Sequence, residues 1–238
     1  MRECGRILTA RLGNSPDGRL LVLPIPTSRD KKYITDTDIT VEEMLSLLSA
    51  DTAVVGYNIP GALVTYAESV GAAVFDAALD EDFLLENARL TANGTLGRLL
   101  GGQDRDIADL RFGVVGYGRI GRELTRLLLL FGASVTVYTT RQSVAVELGE
   151  MGVGAKVISP DTDFSGLDIL INTAPARQID EGRLPESLEI IDLASGSVFE
   201  PSGRLTKLPS IPDKMYPKSA GRLYAEATLR FLKEAGLI

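Results

Sequence analysis

The segment that most constrains this chain is an apolar run, Phe112-Gly113-Val114-Val115, that leads straight into Gly116-Tyr117-Gly118-Arg119-Ile120-Gly121. Behind the glycines, Leu124, Leu127, Leu128 and Phe131 recur at helical spacing, and a second apolar run begins after Gly132. A strand, a glycine loop, a helix and a second strand in that order predict a dinucleotide-binding unit. Each glycine has its own task in this reading. Gly116 permits the tight turn, Gly118 removes a side chain from the path of the pyrophosphate, and Gly121 lets the helix lie close on the strand. The helix start then offers unbonded N–H groups and its positive dipole end to the phosphates. The bland alternative is a glycine turn with no ligand, and the strand–helix–strand context argues against it.

The end of the second strand normally carries an Asp or Glu that accepts from the ribose hydroxyls of NAD. Here Thr139-Thr140-Arg141-Gln142 stands in that place. With no carboxylate to repel it, a 2′-phosphate can accept from the two hydroxyls and pair with Arg141 through charged hydrogen bonds. The expected cofactor is NADP ahead of NAD, the alternative being that Arg141 is a solvated loop arginine.

The rest of the chain reads as two α/β parts. In the first, Leu20-Leu21-Val22-Leu23 is a buried strand that leaves through Pro24-Ile25-Pro26-Thr27-Ser28-Arg29. Thr40 with Glu43 forms the pattern of a capping box ahead of Met44, Leu45, Leu47 and Leu48. Strands at Ala53 to Tyr57 and Ala73 to Phe75 flank a helix from Pro60 to Val70 that Gly71 stops. In the second, further strands are expected at Ala155 to Ile158, Asp168 to Asn172 and Leu188 to Asp192, with a helix near Ser143 to Met151. The predicted fold is α/β: a doubly wound parallel (Rossmann) sheet with a smaller flavodoxin-like N-terminal α/β domain. The expected domains are residues 1–85, a linking helix in 86–109, the dinucleotide-binding domain in 110–215, and a C-terminal helix in 216–238 that packs back on the first domain.

Composition narrows the chemistry. The chain of 238 residues contains no histidine, so the commonest general acid–base group and metal ligand is absent. A single cysteine, Cys4, rules out an intramolecular disulfide and a cysteine-held metal cluster. A net charge of −7 gives no broad basic face for nucleic acid. No secretory signal and no membrane-length apolar run is visible, so a cytoplasmic protein with no metal, membrane or nucleic-acid partner is expected.

Taken in order, the Pro24–Arg29 loop, the glycine loop, Ile171-Asn172-Thr173-Ala174-Pro175-Ala176, Ile191-Asp192-Leu193-Ala194-Ser195 and Pro217-Lys218-Ser219-Ala220-Gly221 resemble the first, larger subunit of dipicolinate synthase, a family within the D-2-hydroxyacid-dehydrogenase-like Rossmann proteins. The resemblance covers nearly the whole chain. It implies an enzyme of sporulation that oxidises dihydrodipicolinate to dipicolinate with NADP, with a smaller flavoprotein-like second subunit. Two departures stand out. Only about twenty residues precede the segment that matches at Leu20, where the family has a further strand–helix–strand stretch, and Gly196-Ser197-Val198-Phe199 replaces a basic or polar residue followed by Pro-Gly-Gly. A shortened sheet exposes an edge, which either Met1 to Gly18 or another chain must cover, so a homo-oligomer, a dimer first, is expected.

A dicarboxylate substrate needs converging cations and hydroxyls, and Thr27, Ser28, Arg29, Lys218 and Ser219 are the candidates, with Thr91 on the linking helix. Arg29, followed by Asp30, Lys31 and Lys32, reads equally as a charged surface loop. Lys218 sits at a helix start, a poor place for a cation on dipole grounds, which favours a functional reason. Asn172, Thr173 and Ala174 leave a strand where the dinucleotide's ribose or nicotinamide passes, or else cap the strand end. Two alternatives to the oxidoreductase remain: a non-catalytic NAD(P)-binding protein with an assembly or sensing role, and a D-2-hydroxyacid dehydrogenase, which the lack of histidine disfavours.

Overall fold

The computed structural model describes residues 1–12, 19–175, 179–194 and 199–238. It divides into two units, residues 1–87 with 216–238, and residues 88–215.

The first unit is built on a three-stranded parallel sheet, β1 (Arg19–Val22), β2 (Thr52–Gly56) and β3 (Ala73–Asp76), in that spatial order. Period-two alternation decides which face each strand residue covers. Leu21, Leu23, Val54 and Val74 point to one side, where they pack with Val41 and Met44 of α2 (Val41–Leu45) and Leu63 and Ala67 of α3 (Gly61–Ser69). Leu20, Val22, Val55 and Phe75 point to the other. There they meet Cys4 and Leu8 of α1 (Arg2–Leu12), Phe83 of α4 (Glu81–Gly102) and Tyr224 of α8 (Pro217–Glu234). The capping box at α2 is present, with Thr40 Oγ1 accepting from Glu43 N at 3.0 Å and Thr40 N donating to Glu43 Oε2 at 2.8 Å. The helix is shorter than its sequence suggests and leaves Leu47 exposed. Asp76, at the end of β3, accepts from Asn58 N, Ile59 N and Ala78 N and so ties together the exits of β2 and β3.

α1 has no counterpart among the elements expected from sequence. It lies against a face of the sheet and not along an edge, so the expectation that this stretch covers the β1 edge is corrected for residues 1–12, while 13–18 lie outside the described residues. Among the described residues no strand pairs the outer edge of β1. Gly221 is what lets α8 close on α1, because a Cβ there would meet Glu3 Cβ at 2.6 Å and Cys4 N at 2.9 Å. Tyr224 Oη donates to the Leu23 carbonyl at 3.2 Å, fastening α8 to the chain just beyond β1. Burial pushes the Cys4 thiol up to about 11, so it packs as a small hydrophobe and is no thiolate at neutral pH.

The second unit is a six-stranded parallel sheet: β4 (Arg111–Val115), β5 (Ser134–Thr139), β6 (Gly154–Val157), β7 (Ile169–Asn172), β8 (Glu189–Asp192) and β9 (Leu205–Lys207). The spatial order β6-β5-β4-β7-β8-β9 is that of a doubly wound Rossmann sheet. α4 runs without a break through Asn93-Gly94, and its later part, Ala92, Leu96 and Leu99, joins the core of this unit. α5 (Arg119–Leu130) and α6 (Gln142–Glu150) add Leu124, Leu128, Val144 and Leu148 to the same cluster. No α-helix connects β6 to β7, and the described residues between β7 and β8 carry only one 3-10 turn, Glu181–Arg183.

Candidate dinucleotide site

The chain leaves β4 on one side for β5 and returns on the other as β7, so the crevice between the carboxyl ends of β4 and β7 is the topological switch point. The glycine loop lies there. Gly116 has φ +88°, and its N–H donates to the Tyr138 carbonyl at 2.8 Å. A Cβ on Gly116 would meet Thr173 Oγ1 at 2.9 Å. On Gly121 a Cβ would overlap the Gly116 carbonyl oxygen, so the loop closes only with glycine at both positions. Gly118 is different in kind. Its φ of −87° is open to any residue and a Cβ there would meet nothing within 4 Å, yet it is the N-cap of α5 and no side chain caps the helix. The exposed helix start, comprising Gly118 and Arg119 with half-buried Ile120, is thus a cradle that a side chain would fill.

Arg141 reaches this loop from the end of β5. Its Nη2 donates to the Tyr117 carbonyl at 3.1 Å, which brings together two segments read separately in the sequence. The two threonines divide their work: Thr139 is buried and its Oγ1 accepts from Arg141 N at 3.2 Å, shaping the turn, while Thr140 is exposed. The Tyr117 ring carries the Arg122 guanidinium at 5.1 Å from its centroid.

Across the crevice, Thr173 Oγ1 donates to the Val115 carbonyl at 2.8 Å and so clamps the exit of β7 to that of β4. Asn172 is buried and fully used: Oδ1 accepts from Ala174 N at 3.2 Å, and Nδ2 donates to the Ala174 carbonyl at 3.1 Å and to Asp192 Oδ1 at 2.8 Å. Asp192, the last residue of β8 and the register partner of Asn172, was not singled out in the sequence. It is 3% exposed, and Oδ1 also accepts from Ala194 N at 3.1 Å, whereas buried Oδ2 has no hydrogen-bond partner among the described residues. An acidic residue at a strand end facing the crevice was the available signal. Ala176 and the Ser195–Val198 loop lie outside the described residues.

The candidate substrate residues lie in other places. Thr27, Ser28, Arg29 and Lys218 belong to the first unit, and Thr91 to the second. Thr27 is buried and structural, its Oγ1 accepting from Tyr57 N at 3.0 Å. Ser28 Oγ donates to Asp30 Oδ1 at 3.2 Å, and backbone N–H groups of Tyr33 and Lys32 hold the Asp30 carboxyl below the usual range. Arg29 Nη1 pairs with Asp36 Oδ1 at 2.8 Å, with both side chains largely exposed, so the loop supplies its own counter-ion. Lys218 is exposed near Glu3 at the start of α8. Thr91 is buried in α4, and its carbonyl accepts from Thr95 Oγ1 at 2.9 Å. In the first unit, Thr35 Oγ1 is a buried hydroxyl with no partner among the described residues, which sequence could not flag. No group of three or more metal-binding side chains, and no helix long and apolar enough to cross a membrane, occurs among the described residues.

Residues 86–193 match the family model of the D-isomer specific 2-hydroxyacid dehydrogenase NAD binding domain. No curated protein matches the chain by sequence. Among solved structures, the first subunit of dipicolinate synthase from Bacillus halodurans is similar at TM-score 0.74 and 22% identity, over 93% of this chain and 82% of that one. The corresponding dipicolinate synthase chain from Bacillus subtilis gives 0.74 and 19%, over 94% and 81%. A transhydrogenase from Sinorhizobium meliloti gives 0.58 and 18%, over 80% and 70%. The second unit therefore carries an NAD-binding domain of the 2-hydroxyacid dehydrogenase type, in a chain whose fold is similar to that of the first subunit of dipicolinate synthase.

Proposed function

We propose that the chain is an NADP-dependent oxidoreductase that acts on a cyclic dicarboxylate, with dihydrodipicolinate oxidised to dipicolinate as the reaction to test. The observation that carries the cofactor is the open cradle at Gly118, with Arg141 laid against the same loop and no carboxylate at the end of β5. In this reading the N–H groups of Arg119 and Ile120 take the pyrophosphate, Thr140 and Arg141 take the 2′-phosphate, and Tyr117 walls the adenine side. Thr173 and Ala174 border the ribose on the nicotinamide side. The nicotinamide, when bound, supplies the hydride acceptor. The chain's own residues bind and orient, and the aromatic product supplies driving force, so no histidine base is required.

The dicarboxylate follows from the likeness to the dipicolinate synthase structures. Arg29, Ser28 and Lys218 are its proposed anchors, with Thr91 beside the rings, and a carboxylate must displace Asp36 from Arg29 to bind there. A homo-oligomeric state, a cytoplasmic setting, a role in sporulation and a second, flavoprotein-like subunit complete the proposal. Appearance of NADPH from NADP and dihydrodipicolinate, with NAD a poorer acceptor, is the expected result. The engaged state of Arg29 favours a second reading, a dinucleotide-binding protein without turnover. Tight NADPH binding with no turnover, even in the presence of a second subunit, would decide for it.

A further inference from the structure

The idle oxygen of Asp192 points to the nicotinamide end of the site, an inference that rests on the dinucleotide reading above. The adenine half of the cofactor is read at Thr140 and Arg141, on the β5 side of the glycine loop, so the other half must run the opposite way from the pyrophosphate, over the ends of β7 and β8. β8 ends two strand spacings, about 10 Å, from β4. Asn172, at the end of β7, offers nothing to a ligand because both of its amide atoms are bonded within the protein. At the end of β8, Asp192 Oδ1 takes two bonds and Oδ2 takes none among the described residues. Leaving a buried carboxylate oxygen without a donor costs stability, and a partner that arrives with the ligand explains it. Leu193 and Ala194, next in the chain, are only half-buried, so the oxygen lies beneath a thin cover. A nicotinamide carboxamide presents an N–H2 donor of the required kind. We propose that Asp192 Oδ2 accepts a hydrogen bond from that carboxamide, while Oδ1 holds Asn172 and Ala194 in place.

Calorimetric titration tests the contact with three ligands: NADPH, its analogue with an acetyl group replacing the carboxamide, and 2′-phospho-ADP-ribose, which has no nicotinamide. Wild type should bind NADPH about tenfold or more tighter than the acetyl analogue, the range for a hydrogen bond to a charged group. Asp192→Asn keeps the acceptor at Oδ1 but places an N–H2 where Oδ2 stood. It should reduce that preference to near unity while binding 2′-phospho-ADP-ribose as wild type does. A preference unchanged in the variant, no preference in wild type, or equal loss on all three ligands overturns the proposal. The wild-type comparison needs no variant to fold. If wild type binds none of the three ligands, the dinucleotide reading itself fails. If it binds all three equally, only the Asp192 contact fails.

Discussion

Substituting Gly118 by alanine separates folding from cofactor binding. In the free protein the new methyl meets nothing within 4 Å and φ of −87° suits alanine, so no strain is introduced. Replacing glycine at such a site stabilises by about 0.4–1 kcal/mol through the unfolded chain. Alanine is a poorer N-cap than glycine, which costs about 1 kcal/mol in the other direction. The two effects nearly cancel, and Tm should move by less than about 4 °C for a protein of this size. Binding should behave very differently. The methyl occupies the space through which phosphate oxygens approach the start of α5, and losing one charge-assisted hydrogen bond there is worth about 1.5–3 kcal/mol, or roughly 10- to 150-fold in affinity. Thermal melts paired with NADPH fluorescence titrations read both quantities on one sample. A Gly118→Ala protein that melts many degrees lower, or one that keeps wild-type NADPH affinity, would refute this separation.

Other expectations follow from the same geometry. Gly121→Ala should do the reverse of Gly118→Ala and destabilise by about 3 kcal/mol, because its methyl overlaps the Gly116 carbonyl and backbone has to move; urea unfolding measures it. Tyr224→Phe removes the hydroxyl that donates to the Leu23 carbonyl and should cost about 1–2 kcal/mol in the same assay, with NADPH binding unchanged. Burial raises the Asp168 carboxyl, but hydrogen bonds from Arg105 and Arg111 together outweigh it and hold the group below its ordinary 3.8. Since the folded value lies below the unfolded one, this pairing stabilises above the ordinary value and is lost as pH falls through the folded one. Asp168→Asn should therefore flatten the acid limb of a stability–pH curve and leave its shape near neutrality unchanged.

The second unit was legible in the sequence because its signals are local. An apolar strand, three glycines and an amphipathic helix sit within twenty-odd residues, and all the predicted strands of that sheet are present within a residue or two. β9 was missed because three residues, Leu205–Lys207, cannot show a period. α1 was missed because its apolar face is only Cys4, Ile7 and Leu8 among charged residues, and its helix is stabilised by α8, more than two hundred positions away. At the candidate site, Gly116, Gly118 and Gly121 each do what their spacing implies. What no local pattern could give were the pairings: Arg141 with Tyr117, Asn172 with Asp192, and Arg29 with Asp36. The last depends on a loop in which Lys31 and Asp36 both take positive φ, a shape that the run Arg29-Asp30-Lys31-Lys32 does not announce.

Everything proposed for this chain depends on a nicotinamide dinucleotide seated on the glycine loop and read at its 2′-phosphate by Arg141. The decisive experiment titrates wild type and Arg141→Gln with NADPH and with NADH, following fluorescence of the reduced nicotinamide. Wild type should prefer NADPH, and Arg141→Gln should lose about tenfold on NADPH but little on NADH, as expected for one charged contact to the phosphate. Equal affinity for the two cofactors in wild type would rule out the role of Arg141, and binding of neither would mean that the glycine loop is only a turn.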